Sequence, residues 1–308
     1  MAECPTFDTI LSQLATATLL GRGAQGTVHK VNEFVLKKVN LRDEKAKRLF
    51  DGEANALMTL STNQLTRQFL PELCWIYRTA ETGYILQKYE PVISLKELIA
   101  TTAPKSFPFE TGFAIYKNLR FGIARIGKVG FLHRDIKPEN ILIRTSSPEA
   151  MKIPIFIDFG LAIPLSEWKT AIKAGTPEFM SPNMLPRQIH QKQPTMRIGN
   201  RNVYVQTQLV NIETTPTTEF YALALTLEQF YPIIDFTGHG KEDAEMQSFI
   251  VEMKQKVFLN TFKKRRNNMA KRQGWGPLSK HTYESIGTAE GGTRTQKQKS
   301  KRRATRKY

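Results

Sequence analysis

Hydrophobic and polar positions alternate in short runs over the first part of the chain, and the period then changes. Residues 18 to 39, TLLGRGAQGTVHKVNEFVLKKV, predict strand, glycine turn, strand, short turn, strand, with Asn32-Glu33 closing the second hairpin. RDEKAKRLFDGEANALMTLST then takes helical spacing, with Ala46, Leu49, Phe50, Ala54, Leu57 and Met58 on a common side. CWIYRT and TGYILQKY read as strands joined by a turn at Glu81-Thr82-Gly83. This β-rich lobe ends near Tyr89-Glu90-Pro91. Beyond Pro91 the pattern is mainly helical: SLKELIA and GFAIYKNLRFGIARIGKVG are amphipathic, and TEFYALALTLEQFY has the look of a mostly buried helix. ILIR and IPIFID are short apolar runs that predict two small strands. Residues 186 to 218 are polar and read as a long loop or insertion. The pattern therefore divides the chain into residues 1–90, 91–262 and a terminal segment 263–308.

Composition changes this picture in two places. No run of about 18 apolar residues exists, so no membrane-spanning helix and no membrane partner is expected. The start, MAECPTFD, lacks the charged-then-apolar pattern of a signal peptide. Only Cys4 and Cys74 occur, far apart and without CxxC spacing. The expectation is no disulfide framework and no zinc site, in a reducing intracellular compartment such as cytoplasm or nucleus. The net charge of +17 is uneven, because residues 263–308 hold fifteen Lys or Arg against Glu284 and Glu290. That leaves +4 for residues 1–262. The basic end, GGTRTQKQKSKRRATRKY, is expected to be disordered.

Candidate chemistry begins with GRGAQGTV, where Gly21, Gly23 and Gly26 lie between two strands and Val28 follows. Glycines let backbone N–H groups approach phosphate oxygens without a side chain in the way. A dinucleotide-binding loop would lead into a helix; here a strand follows, which selects a flap over phosphates. FVLKKV supplies Lys37 and Lys38, which alternation sends to opposite faces of the sheet. Only one can point inward, and Lys37 is the candidate because Val35-Leu36-Lys37 best resembles the Val-Ala-Ile-Lys type of pattern. A buried lysine needs a carboxylate to stay charged. Glu53, followed by Leu57 and Met58, is the candidate; Asp51 and Glu44 compete.

FLHRDIKPEN then sets Asp135, Lys137 and Asn140 ahead of an apolar strand. In phosphoryl transfer to a hydroxyl, a carboxylate orients the acceptor proton and an amide oxygen can ligate a metal. Asp158 ends the strand of IFIDFG and offers the hard oxygens that Mg²⁺ prefers.

In order, GRGAQGTV, VLKK, the Glu53 helix, HRDIKPEN, IDFG and AGTPEFMSP resemble the motif set of the eukaryotic-type Ser/Thr protein kinase family, over residues 18 to 235. The resemblance implies an α+β, bilobal fold with a small β-rich N-lobe and a mainly helical, shortened C-lobe. It implies ATP and Mg²⁺ as cofactors and Ser/Thr hydroxyls of protein substrates as acceptors. By resemblance Lys37 and Glu53 form an ion pair, Asp135 is the catalytic base, Lys137 steadies the γ-phosphate, and Asn140 and Asp158 bind metal. Gln87 falls at the gatekeeper position, with Lys88, Tyr89 and Glu90 as the hinge beside adenine. Arg134, Thr170 and Thr176 belong to the activation machinery, with Thr170 as the phosphosite and Thr176 near Asp135.

The sequence also departs from the family pattern. Ser181-Pro182-Asn183 stands where Ala-Pro-Glu is usual, and Glu219 where a helix-start aspartate is usual. Little apolar chain follows residue 262, so the last helices of the C-lobe are expected to be shortened or absent. These departures motivate an alternative, a pseudokinase that uses the fold as a nucleotide-binding scaffold. The basic tail suggests an acidic or nucleic-acid partner. Together with the trimmed lobe it also resembles kinases carried by large DNA viruses, for which a virion is a further location.

Overall fold

The alternation of the first lobe becomes a five-stranded antiparallel sheet. In the computed structural model the described residues are 3–23, 26–168, 174–181, 195–198, 201–204 and 216–255. They fall in the first of the chain's two units, Met1–Thr261; the second, Phe262–Tyr308, lies outside them. Strands β1 (Thr18–Gly23), β2 (Gly26–Val31), β3 (Phe34–Asn40), β4 (Leu73–Arg78) and β5 (Thr82–Lys88) are ordered β1-β2-β3-β5-β4. Asn32 turns the β2–β3 hairpin at φ 52°, a left-handed conformation that asparagine tolerates.

The two faces of this sheet bury different things. Phe34 and Leu36 of β3 face outward, against Val31, Tyr84, Leu86 and the fully buried Ile10 of α1 (Phe7–Gln13). Val39 and Ile85 face inward, into the main core with α2 (Glu44–Thr62). Asp43 caps α2 by accepting the Ala46 N–H at 2.8 Å. The buried stripe of α2 runs through Phe50, Glu53, Ala54, Ala56, Leu57 and Leu60; Met58, expected on that side, is half exposed.

The chain leaves the sheet through β6 (Val92–Ser94), α3 (Leu95–Thr101) and α4 (Phe109–Val129). Ser94 caps α3 by accepting the Glu97 N–H at 3.1 Å. Gly130, at φ 103°, ends α4 in a conformation glycine adopts without strain. Next come β7 (Phe131–Leu132), β8 (Ile141–Arg144), α5 (Pro148–Met151), β9 (Ile155–Phe156) and β10 (Ile163–Pro164). They form the small sheets β6-β8-β9 and β7-β10. α6 (Pro216–Phe230) packs on α4, and residues 240–255 form a further helix, α7. The architecture is α+β and bilobal, a β-rich N-lobe over a mainly helical C-lobe.

Four expectations change. Cys4 and Cys74 are joined in a disulfide, with Cα atoms 5.6 Å apart, which overturns the reading that the pair is unlikely to bridge. The segment ahead of β1 folds back over the sheet and closes a 70-residue separation that spacing alone hides. The bridge also removes the cysteine-based ground for a reducing compartment. Gly83 is not a turn residue: the turn is Thr79–Glu81, and Gly83 lies in β5 against the ring of Phe50. Residues 195–204, read as loop, hold an antiparallel pair, β11 (Thr195–Ile198) and β12 (Arg201–Tyr204). Thr170, Pro182, Asn183, the rest of the polar insertion before Pro216, and everything after residue 255 lie outside the described residues.

A methyl group at Gly83 would sit 2.4 Å from Phe50 Cε2, a ring fixed in the core. Gly83→Ala is therefore expected to cost about 1–3 kcal/mol by overpacking, read as a lower urea midpoint at unchanged m-value.

Candidate active site

The site starts at the inner face of β3. Period-2 alternation puts Lys37 on that face with Val35 and Val39, and Lys38 on the other with Leu36. Lys37 Nζ donates to Glu53 Oε1 at 2.6 Å and to Asp158 Oδ1 at 3.1 Å. Glu53 points inward because it lies on the buried stripe of α2, whereas Asp51 pairs with Arg78 and Glu44 with Lys47. Burial opposes the charge on Lys37, but the Glu53 and Asp158 carboxylates outweigh it and hold the ammonium above its ordinary pKa. Burial pushes Glu53 up, and Lys37 offsets only part of that. Asp158 ends below the usual carboxylate range, because Lys37 outweighs its burial.

Above this cluster, β1 ends at Gly23 and β2 begins at Gly26. A Cβ at Gly26 would meet Lys38 O at 2.0 Å, so this position demands glycine. Around Gly21 and Gly23 nothing lies within 4 Å of such an atom, which leaves their backbone open to the cleft. Val28, the cross-strand partner of Lys37, completes this wall.

The second cluster forms in the loop after β7. Asp135 Oδ1 accepts from Thr176 N at 2.9 Å and Thr176 Oγ1 at 2.6 Å. Asp135 Oδ2 accepts from Asn140 Nδ2 at 2.9 Å and pairs with Lys137 Nζ at 2.9 Å. Lys137 also donates to Thr176 Oγ1 at 2.7 Å. Burial works against the Asp135 charge, yet these donors outweigh it and keep the carboxyl below its ordinary range. Asn140 commits its NH₂ to Asp135 Oδ2 and Asp135 O, so its amide oxygen is the atom left for other work.

Two further groups fix the loop's shape. His133 Nδ1 accepts the Asp135 N–H at 3.3 Å while Nε2 donates to Ile157 O at 3.0 Å, which defines a neutral ring. Burial lowers the His133 pKa, in agreement. Glu219 of α6 accepts the backbone N–H of His133 at 2.9 Å and of Arg134 at 3.0 Å. Arg134 and Asp158 both sit at positive φ, 70° and 62°, a cost that surrounding bonds must hold in place.

A cleft of about 550 Å³ joins the glycine strands, Lys37, Glu53, Asn140 and Asp158. Gln87, Lys88, Tyr89 and Glu90 line its edge. Three of their polar groups are anchored outside it: Lys88 N–H donates to Glu72 O at 2.9 Å, Tyr89 N–H to Glu33 O at 2.8 Å, and the Glu90 carboxylate accepts from Arg144 Nε at 2.6 Å. Val35, Val92 and Leu142 add apolar walls that sequence reasoning missed, although alternation against buried Ile141 and Ile143 singles out Leu142. Arg134 lines a small cavity under the loop with Thr176, Ser181 and Glu219. The structure thus brings together every named site residue except Thr170, which is outside the described residues.

The donor set suits a hard divalent cation that takes few protein ligands. Asp158 offers a carboxylate and Asn140 an amide oxygen to the cleft, while the Glu53 carboxylate is paired with Lys37 and that of Glu90 with Arg144, and no group of three His, Cys, Asp or Glu among the described residues forms a metal cage. Among those residues no helix is long and apolar enough to cross a membrane.

Residues 14–197, more than half the chain, match the family model described as protein kinase domain. The chain is 28% identical over 164 residues to a citron rho-interacting kinase of Rattus norvegicus, covering 53% of this chain and 7% of that protein. It is 32% identical over 151 residues to serine/threonine-protein kinase D of a Synechocystis species, covering 46% and 27%. It is 29% identical over 192 residues to calcium-dependent protein kinase 6 of Plasmodium berghei, covering 59% and 12%. The chain thus spans about a quarter or less of each of these relatives. A crystal structure of a kinase domain superposes at TM-score 0.53 and 16% identity, covering 71% of this chain and 65% of that one.

Burial raises Glu219 from its ordinary 4.5 to about 7, against the lowering effect of the His133 and Arg134 N–H groups. A raised folded-state value contributes stability that is present below 4.5 and lost as pH rises through about 7. The melting-temperature advantage of wild type over Glu219→Gln is therefore expected to shrink between pH 5 and pH 8, measured by calorimetry at constant ionic strength.

Proposed function

We propose a specific activity for this chain, which belongs to the protein kinase domain family: transfer of the γ-phosphoryl group of ATP, with Mg²⁺, to Ser or Thr hydroxyls of protein substrates. One observation carries the reading. Lys37, Glu53, Asp158 and Asn140 share one cleft with the glycine strands, while Asp135, hydrogen-bonded to the cleft-lining Asn140, meets Lys137 and Thr176. The name of the Synechocystis relative supports Ser/Thr acceptors. The relatives named above come from a rat, a cyanobacterium and a malaria parasite, and none is viral.

In this reading residues 1–90 are the N-lobe, 91–262 the C-lobe and 263–308 a basic tail for an acidic or nucleic-acid partner. The glycine strands and the backbone of Lys88–Glu90 would hold the nucleotide, and Lys37, kept charged by Glu53, would bind its phosphates. Asn140 and Asp158 would hold Mg²⁺, which when bound neutralises charge on the phosphates. Asp135, held ionised by Lys137 and Thr176, orients the acceptor hydroxyl and takes its proton. Thr176 contributes a hydroxyl that accepts from Lys137 and donates to Asp135, which fixes both groups before substrate arrives.

Incubation with γ-labelled ATP, Mg²⁺ and a generic basic protein tests the reading. Wild type is expected to transfer label, and Asp135→Asn to lose roughly 10²–10⁴-fold in kcat with nucleotide affinity nearly unchanged. ATP binding by wild type without transfer would instead establish the scaffold reading, and equal transfer by Asp135→Asn would remove Asp135 from the chemistry.

A further inference from the structure

The disulfide lies away from the chemistry but close to the edge of the cleft. Cys74 is the extra residue of a bulge in β4: Leu73 pairs with Gln87 and Trp75 with Leu86, so Cys74 has no partner of its own in the register. Leu86 and Gln87 lead directly into the cleft-lining Lys88–Glu90. One residue before Leu73, Glu72 accepts the Lys88 N–H and pairs with Lys88 Nζ at 2.6 Å. A shift of the bulge is therefore felt at the hinge through three consecutive residues.

The segment that Cys4 anchors spans the outer face of the sheet. Trp75 Nε1 donates to Pro5 O at 2.7 Å, and the Phe7 ring lies against Trp75, Tyr77 and Tyr84. At its far end Gln13 Oε1 accepts from Asn32 Nδ2 at 3.0 Å in the β2–β3 turn. The next residue of that turn, Glu33, accepts the Tyr89 N–H. The strap therefore grips the hinge from both sides, through β4 to Lys88 and through the β2–β3 turn to Tyr89. Cys4 is exposed, so a small thiol can reach the bridge.

We propose that the Cys4–Cys74 bridge is a redox latch, whose closure clamps this strap on the sheet and fixes Gln87–Glu90 in a nucleotide-binding geometry. The proposal rests on the kinase reading in placing a nucleotide in that cleft. Opening needs a low-molecular-weight thiol. Its thiolate attacks one bridge sulfur, forming a mixed disulfide and releasing the other cysteine, and a second thiolate displaces the remaining cysteine. In sum two small thiols become one disulfide and the bridge becomes two cysteines; oxidised glutathione runs the exchange backwards. The Phe7 and Ile10 packing is independent of the bridge sulfurs, so opening is expected to loosen the strap and not to release it.

The experiment uses the full chain in four forms: oxidised, reduced, Cys4→Ser, and reduced then reoxidised with glutathione disulfide. Alkylation and mass measurement are expected to find both cysteines blocked until reduction. Calorimetric titration with Mg·ATP is expected to show affinity about 3–10-fold weaker in the reduced and Cys4→Ser forms, recovered on reoxidation, because a pre-ordered hinge no longer spares the ordering cost. Hydrogen exchange of amides 86–90 should accelerate in the same two forms. A purely structural clamp would lower melting temperature and leave affinity and hinge exchange alone, and that outcome overturns the proposal. So does alkylation of both cysteines without reduction. Should no form bind nucleotide, the kinase reading fails, and exchange at residues 86–90 still decides whether the bridge controls the hinge.

Discussion

The ammonium of Lys37, held between Glu53 and Asp158, is the interaction on which the remaining arrangement depends. It comes from a strand, its partners from a helix and from the segment after β9, and no two of the three are near in sequence. Taking these charges out of water costs several kcal/mol per ion, and only mutual attraction at short range offsets it. Removing one partner leaves an uncompensated buried charge, commonly a loss of 3–5 kcal/mol. The triad is thus a weak source of net stability and a strong source of specificity, since only one docking of α2 on the sheet satisfies it. It also carries one negative charge in excess. Glu53 is almost fully buried whereas the Asp158 side chain is 44% exposed to the cleft, so the excess faces the place where a cation would sit.

The Asp135 cluster follows the same physics with a different balance. Asp135 is surrounded by donors on both carboxylate oxygens, and these win over desolvation. Glu219 accepts the backbone N–H groups of His133 and Arg134, and there desolvation wins. Two carboxylates next to one loop are thereby pushed in opposite directions, one ionised well below neutrality and one titrating close to it. The Asp135 charge is set by its side-chain partners, whereas Glu219 acts on the loop's backbone. The longer glutamate, a departure from the family pattern, still reaches both N–H groups, so the departure leaves this support in place.

Most of this site was legible because its determinants are local. Strand alternation separates Lys37 from Lys38, the inward stripe of α2 points to Glu53, and the spacing within HRDIKPEN places Asp135, Lys137 and Asn140 on one loop. What was not legible is set by contacts between distant segments. Gly83 reads as a turn glycine until Phe50 is seen against it. Met58 falls past the edge of a stripe whose width is decided by the sheet and by the Phe159 segment, not by helix period. The pair β11–β12 did leave a signal, since Gly199-Asn200 between two runs of β-favouring residues marks a hairpin, and the polarity of the surrounding insertion concealed it.

The same distinction explains why the disulfide escaped and why its location has consequences. A five-stranded sheet has two apolar faces to cover, and α2 with the C-lobe covers only the inner one. Without the N-terminal segment, Val31, Phe34, Leu36, Tyr84 and Leu86 would lie open to water, and at about 25 cal/mol per Å² that exposure is costly. A helix of seven residues is too short to be stable by itself, so its hold on the sheet has to come from the sheet. Phe7 and Ile10 supply an apolar part of that hold and Cys4 a covalent part. The outer cover and the inner ion triad act on opposite faces of one thin layer, and β3 and β5 carry residues of both. Packing on the outer face therefore helps fix where the strands hold Lys37 and Gln87 on the inner one, although neither cysteine reaches the cleft.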